Sequence, residues 1–544
     1  MNWEHYKGMI KENGCLDEDC YILGIDLGTT NSVISYWNSK MKRPEPIDVS
    51  NGFGKVPLPS VVQFRDDEDG AGEWVIGEEA LHTVKMYPKT TIQSIKRLMG
   101  TRDKVMIGHD AYTPEEISGI LLKHLIGHVS SMNPKMQLAG VVVSVPYDFD
   151  DAAKKATVKA CHLAGLADSL ICLIEEPKAA ALAYNFRHDL ATGERVMVFD
   201  FGGGTLDITL FQVDCKDDDA IHMKVISEGG EAYHGGDHID AMIYEQLLHW
   251  LEEKTGNKRN DLSNESVAEL YQRANEAKER LSGVAKHRIP FTFCLPPFVQ
   301  SMSRTAMEDL IQAFIIKTKQ LVLDTLNQGY IGPIPAASVT RVLLEGGSSK
   351  MPWVKEMLKD IFDDGDKIYV SEQPALDISI GATYYAAMKL GLLDHKDMTT
   401  IDKRVQFETP VPHDIGFEVA YETHKGFFPM IRRGTPYALA KKTMVFTLKG
   451  DSVEDMTSLD LRILERLKMD DDIEDCKLVG DVRVEGLPER PEGKTKLEVT
   501  LTVNETEGTI KGKVRDLGYG RDYVPTEFDR EFVPERGEKK VIGV

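Results

Sequence analysis

Two stretches of this chain share one short grammar. Residues 21–30 read YILGIDLGTT, and residues 196–205 read VMVFDFGGGT. Each is an apolar strand ending in an aspartate, Asp26 or Asp200. Glycine and threonine follow: Gly28, Thr29 and Thr30 in the first copy, Gly202, Gly203, Gly204 and Thr205 in the second. A phosphate-binding P-loop runs straight into a helix. These copies instead run into a second β-branched or aromatic stretch, SVISYW and LDITLFQV. Each turn therefore reads as the tip of a β-hairpin, one in each half of a duplicated domain. Glycine lets backbone N–H groups approach an anion closely, and threonine hydroxyls add donors. The aspartates suit Mg2+, which keeps most of its water and takes one or two carboxylates. A single Gly-rich turn is ordinarily just a tight hairpin. Two of them facing across a cleft predict a clamp for nucleotide phosphates.

Further segments extend the pattern: SIKRLMG (94–100), VVVSVPYDF (141–149), IEEPKAAALAY (174–184), GGDHID (235–240) and LEGGSSKMP (344–352). Together with GIDLGTTNS and DFGGGTLD they resemble the DnaK-type, 70-kDa heat-shock chaperone family, in that family's order and spacing. The likeness is strong over residues 21–390 and weaker to about 520. Actin and the sugar kinases share the two-tip clamp; the EEPKAAALAY helix start and the β-rich tail favour the chaperone branch. The resemblance implies an α/β, actin-like, two-lobed nucleotide-binding domain followed by an all-β sandwich that binds substrate. It implies ATP or ADP and Mg2+ as cofactors, with K+ as an optional ion. The implied partners are unfolded or extended polypeptides, a J-domain co-chaperone and a nucleotide-exchange factor.

Organisation along the chain fits this reading. Residues 1–20 read as a weakly structured N-terminal arm, 21–391 as the nucleotide-binding domain and 392–410 as a linker. Residues 411–523 read as the sandwich and 524–544 as a charged tail. Thr113-Pro114-Glu115-Glu116 is a capping box opening a helix through about Val129. Asp150 or Asp151 caps another, ended by Gly165. Residues 267–282 place Val267, Leu270, Tyr271, Ala274 and Leu281 on one helix face, and a longer helix is expected from Arg304 to Gln328. The segment 241–300 is expected to lean over the nucleotide. Beyond the linker come short strands: IGFEVAY, MVFTLKG, DLRILERL, VRVEGL, KLEVTLTV and TIKGKVR. No long helical pattern follows them, where the family carries a lid over its peptide groove.

A net charge of −22 argues against nucleic acid as a partner. No apolar run approaches the roughly 18 residues that cross a membrane, and the first twenty residues lack a signal-peptide core. A cytoplasmic monomer is expected. Seven scattered cysteines suit reduced thiols, and Cys15 with Cys20 lacks the second pair a zinc site would need.

The resemblance also assigns residues. Asp26 and Asp200 hold Mg2+ through water. Gly28, Thr29, Thr30 and Asn31 contact the phosphates from one tip, and Gly202, Gly203, Gly204 and Thr205 from the other. Lys96, Glu176, Asp200, Thr205 and Asp207 serve hydrolysis, with Lys96 reaching the γ-phosphate and Glu176 and Asp207 positioning water and metal. Taken alone, Lys96 reads as a surface lysine, Glu176 as a helix N-terminal charge and Asp207 as a strand-end charge. Pro146 and Lys154 relay nucleotide state, although Tyr147-Asp148-Phe149 alters that motif. Asn275, Lys278, Glu279 and Ser282 fall where the family holds ribose and base, and Gly346, Gly347, Ser348 and Lys350 form the second nucleotide loop. Four positions depart from the family: Asn275 for glutamate, Glu279 at a stacking position, Lys350 for arginine and Ala375 for aspartate. A guanidinium and an ammonium are not equivalent for stacking on a base, so looser ATP binding is expected.

The linker region MTTIDKRVQF offers only Ile401 and Val405 in place of the family's leucines. Each lost leucine removes roughly 1.5–3 kcal/mol of burial, so weakened coupling between the domains is expected. In GFFPMIRRGTPYA (426–438), Phe427, Phe428 and Met430 either line a peptide groove or form core. The leading reading is an ATP-binding chaperone with weak ATPase activity and a lidless sandwich. An ATP-switched scaffold for one specific partner and a small-molecule kinase are the alternatives.

Overall fold

The computed structural model describes residues 3–13, 16, 20–50, 54, 56–65, 72–84, 86–132, 134–147, 149–188, 190–215, 220–330, 332–393, 404–411, 413–420, 425–448, 457–466, 472–503, 510–534 and 539–542. They divide into two units, one running to Phe407 and one beginning at Glu408.

The first unit is built on two related six-stranded sheets. In one, strand Cys20–Asp26 pairs antiparallel with Asn31–Asn38 and parallel with Gln137–Val145, which leads on to Ile171–Glu175. In the other, Arg195–Phe201 pairs antiparallel with Leu206–Cys215 and parallel with Arg341–Glu345. Both Gly-rich turns are thus hairpin tips, as the repeated grammar predicts, and each hairpin lies beside a parallel strand. Residues Cys20 to Ile25 are buried without alternation, the mark of a strand covered on both faces. Helix Asp377–Leu390 lies against this strand so closely that a Cβ on Gly24 would fall 2.3 Å from the Thr383 nitrogen.

Helix signals in the sequence are largely realised. Thr113 caps helix Pro114–Met132, with its N–H donating to Glu116 Oε2 at 2.8 Å. Asp150 accepts from Ala153 N at 2.9 Å and caps Asp151–Leu163, and Gly165 follows at φ +96°. Helix Asn264–Gly283 buries Leu270, Ala274, Ala277 and Leu281. Tyr271, expected on the same face, is exposed and stacks on Tyr244 at 4.1 Å. The long helix expected from Arg304 is instead two, Arg304–Leu310 and Gln312–Asn327, stepping at the buried Ile311.

Three boundaries need correction. The supposed N-terminal arm contains helix Trp3–Asn13, which buries Tyr6 and Ile10. Trp3 lies over Gly140, where a Cβ would sit 2.4 Å from the indole. Trp3, Tyr6 and Ile10 make a narrow apolar stripe spaced for one helix face, easily missed among polar neighbours. The linker is partly structured: Arg404–Glu408 is the edge strand of the second sheet, beside Ala220–Glu231. There Val405 is buried, and Phe407 meets Phe211 at 6.1 Å. Ile401, the other expected anchor, lies outside the described residues. The charged tail carries strands Asp529–Phe532 and Lys539–Ile542, one in each sheet of the second unit. Phe528 and Phe532 are buried there, which outweighs the polarity of the neighbouring residues.

That second unit is a β-sandwich. One sheet runs Lys425–Ile431, Asp414–Ala420, Ser458–Arg466, Lys477–Glu485, Lys539–Ile542, and the other Lys441–Leu448, Thr495–Val503, Ile510–Gly518, Asp529–Phe532. Ile415, Phe417, Ile463, Val482, Leu497 and Val499 fill the space between them. Met430 is 3% exposed in this core, and Phe428 meets Phe446 edge-on at 5.7 Å. Met430 therefore belongs to the core, and Phe428, half-buried, packs against its margin. Phe427 points to the other side, beneath the Arg466 guanidinium at 4.9 Å. Cys161, Cys172 and Cys294 are free thiols, and Cys15 lies outside the described residues.

Candidate nucleotide site

Each hairpin tip is pinned from behind. In the first, Ser60 Oγ donates to the Gly28 carbonyl at 2.7 Å and Ser60 N to the Thr30 carbonyl at 2.8 Å. A Cβ on Gly28 would lie 2.0 Å from the Asn31 oxygen, so only glycine fits this turn. In the second, Thr205 Oγ1 donates to Asp207 Oδ2 at 3.1 Å. The first turn of helix Gly236–Thr255 then binds the same tip, with Gly236 N to the Gly202 carbonyl at 3.0 Å and Asp237 N to the Gly203 carbonyl at 2.8 Å. The tips approach each other closely. A methyl on Gly203 would fall 2.1 Å from Thr30 Oγ1, and one on Gly204 would fall 3.1 Å from Thr29 Cγ2.

Beneath the tips lies a concentration of charge. Lys96 sits on the short turn Ile95–Leu98, is 7% exposed and is ion-paired to Glu176. Burial alone would depress its ammonium, but Glu176, Asp26 and Asp207 outweigh that and raise its pKa. Asp26 accepts from Ser144 Oγ at 3.0 Å. Burial and then Glu176 push its carboxyl up to about 7, against the pull of Lys96. Asp200 rises to about 8 through burial, Glu176 and Asp26. Beside it in register, Glu345 is driven well above the usual range by burial, Asp377 and Asp200. These carboxylates repel one another in a low-dielectric site. Such hard oxygen donors fit Mg2+. Among the described residues no group of three or more His, Cys, Asp or Glu side chains converges on one point.

The expected adenosine residues only partly assemble. Asp240 Oδ2 accepts from Lys278 Nζ at 2.6 Å and from Asn275 Nδ2 at 3.0 Å. Lys278 also donates to the Gly236 carbonyl at 3.2 Å, and Ser348 packs so near Gly236 that a methyl there would lie 2.4 Å from its Oγ. Gly346 takes φ +77° beneath Phe201, where a Cβ would fall 2.4 Å from the Phe201 carbonyl oxygen. Gly347, Glu279 and Lys350 are exposed, and Ser282 Oγ turns back to the Lys278 carbonyl at 2.9 Å. On the relay side, Pro146 is buried and Lys154 reaches Glu175 Oε1 at 3.4 Å. Lys178 holds the other Glu175 oxygen at 2.8 Å, immediately before Glu176. Asp148 lies outside the described residues.

Four site groups escaped the sequence reading: Arg97, Asp237, Asp240 and Glu345. All lie inside the quoted motifs SIKRLMG, GGDHID and LEGGSSKMP. The signal was their place beside residues already singled out.

A duplicated α/β domain with opposed Gly-Thr tips over buried aspartates, followed by a β-sandwich, defines an actin-like ATPase domain joined to a second, all-β domain. The Hsp70 protein family model matches residues 22–106 and 101–522. The chaperone protein DnaK of Ureaplasma urealyticum serovar 10 is 32% identical over 533 residues, covering 96% of this chain and 81% of that protein. DnaK of Thermosipho melanesiensis is 29% identical over 543 residues, covering 96% and 82% respectively. The chain belongs to the Hsp70 family of chaperones, whose members bind and hydrolyse ATP with Mg2+.

Proposed function

We propose that this protein is a cytoplasmic, ATP-dependent chaperone with weak ATPase activity, binding unfolded or extended polypeptide through its sandwich domain. The observation that carries the reading is the buried Lys96–Glu176 pair set under two opposed hairpin tips, beside Asp26 and Asp200. Bound Mg2+ would neutralise charge on the transferring phosphoryl group. Thr29, Thr30 and the glycine N–H groups then orient the phosphates. Lys96, held in place by Glu176, offers a point charge to the terminal phosphate. Asp207, positioned by the Thr205 hydroxyl, is placed to orient a water for attack. Looser ATP binding than in other members is part of the proposal, because Lys278 is engaged by Asp240 and Lys350 stands exposed. No helix of the described residues is long and apolar enough to cross a membrane.

The expectation of weak coupling rested on missing aliphatic anchors. Phe407 supplies an aromatic anchor instead, since it packs on Phe211 and lies beneath the Lys178 ammonium at 5.9 Å. Lys178 in turn holds Glu175, the neighbour of Glu176. We therefore propose that the strand Arg404–Glu408 couples the nucleotide site to the rest of the chain through Val405 and Phe407.

The scaffold reading keeps one observation in its favour: Met430 is spent in the core. ATP hydrolysis measured with a panel of apolar peptides, beside a Lys96→Ala control, separates the two. Hydrolysis that needs Lys96 and rises with many peptides supports the chaperone. Hydrolysis that needs Lys96 yet ignores every peptide moves the scaffold to first place.

A further inference from the structure

Arg97, the neighbour of Lys96, does something different from it. Lys96 turns inward to Glu176, whereas the Arg97 guanidinium crosses to the opposite hairpin tip. A methyl on Gly204 would fall 2.9 Å from Arg97 Nη2 and 3.0 Å from Nε. Nη2 also donates to Asp237 Oδ2 at 2.7 Å, in the first turn of helix Gly236–Thr255. On another side the guanidinium lies 5.9 Å from the centre of the Tyr233 ring. Tyr233 adopts φ +64°, a left-handed conformation uncommon for a bulky residue, and is 61% exposed. Strain of this kind persists where the surroundings impose it and is found at ligand clamps.

One donor of this guanidinium has no acceptor. Arg97 Nε is buried and makes no hydrogen bond among the described residues. An unsatisfied buried donor on a cation is costly and calls for an explanation. Charge balance supplies one. The site gathers the buried carboxylates Glu176, Asp200, Asp207 and Glu345 with the partly buried Asp26, against the buried ammonium of Lys96. A terminal phosphate entering between the tips brings more negative charge, and Lys96 is already matched to Glu176. Arg97 is the nearby cation with an unused donor, held at the glycine tip where that phosphate would lie.

We infer that Arg97 is a positioning and specificity residue that distinguishes nucleoside triphosphate from diphosphate. Its Nε–H donates to an oxygen of the terminal phosphate, while Asp237 fixes the other edge of the guanidinium and Tyr233 covers its face. The inference rests on the ATP-binding reading above. Planar guanidinium geometry suits such two-sided recognition, and lysine does not reproduce it.

The test is calorimetric affinity for Mg·ATP and Mg·ADP, measured on the full chain for the wild type, Arg97→Gln, Arg97→Lys and Asp237→Asn. Arg97→Gln should weaken ATP relative to ADP by about tenfold or more, the scale of a lost charge-assisted hydrogen bond. Arg97→Lys should lose several-fold of that preference with an unchanged melting temperature. Asp237→Asn should shift the ratio the same way by a smaller factor. If Arg97→Gln and Arg97→Lys leave the ATP-to-ADP ratio at its wild-type value, or weaken both nucleotides equally, the inference fails. A wild type that binds neither nucleotide would instead overturn the ATP-binding reading on which it rests.

Discussion

Asp200 places the chemistry of the site in direct opposition to stability. Burial, Glu176 and Asp26 raise its folded-state pKa from 3.8 to about 8. A carboxyl whose pKa rises on folding costs stability once the unfolded state gives up its proton. The cost begins near pH 4, grows as pH rises and levels off above the folded pKa. One pKa unit corresponds to about 1.4 kcal/mol. Between pH 5 and pH 8 the cost from Asp200 alone thus grows by at most about 4 kcal/mol. Because Asp26 and Glu176 share the same repulsion, about 2 kcal/mol is the more realistic share. Asp200→Asn removes the charge and keeps the size. In the absence of Mg2+ and nucleotide, the stability gain of the variant over the wild type should therefore be about 2 kcal/mol larger at pH 8 than at pH 5. Its ATP hydrolysis should be abolished. Urea unfolding followed by tryptophan fluorescence at both pH values measures the gain, and adding Mg·ADP should erase it by stabilising only the wild-type carboxylate cluster. An equal gain at pH 5 and pH 8, or a wild type whose ion-free stability climbs over that range, would refute the reasoning.

Gly203→Ala should force the tips apart, because its methyl would fall 2.1 Å from Thr30 Oγ1. Nucleotide affinity by calorimetry should drop at least tenfold, with circular dichroism unchanged. In the sandwich, Asp516 accepts two bonds of 2.7 Å from Arg490 and further bonds from Gly518 N and Thr526 N. Burial works against that charge, but these donors outweigh it and hold the pKa down to about 2. The stabilisation is present above pH 4 and is lost as pH falls toward 2. Asp516→Asn should cost the sandwich about 3–5 kcal/mol, seen as a separate early unfolding step in calorimetry. Phe407→Ala removes the ring packed on Phe211. Release of a labelled peptide should then proceed at nearly the same rate with ATP and ADP, whereas retained ATP acceleration would show that the strand is not the coupling element.

Local chemistry was legible wherever it repeats or is confined to a few neighbours. The two Asp-Gly-Thr hairpins, the Thr113 capping box and the Asp150 cap each involve residues within a few positions of one another. Nothing in those contacts depends on distant parts of the chain. Phe428 and Met430 were ambiguous between groove and core, since period-two alternation tells which residues share a face but not which face is buried. Residues 3–13, 404–408, 529–532 and 539–542 are hard to read from sequence for a related reason. Their apolar content is low, and each gains its structure by joining a surface made elsewhere: Trp3 on Gly140, Phe407 on Phe211, Phe532 on the sandwich core.

The primary sequence by itself determined the duplication, the order of the nucleotide motifs and the presence of a β-rich second domain, because glycine, threonine and aspartate at close spacing restrict the backbone directly. Tertiary structure alone decided which charges meet. Lys96 reaches Glu176 across 80 positions and Arg97 reaches Asp237 across 140. Only folding takes these groups out of water and brings them within bonding distance. Burial then raises the pKa values of Asp26 and Asp200, leaves Arg97 Nε without an acceptor among the described residues and turns a set of motif residues into an electrostatic site.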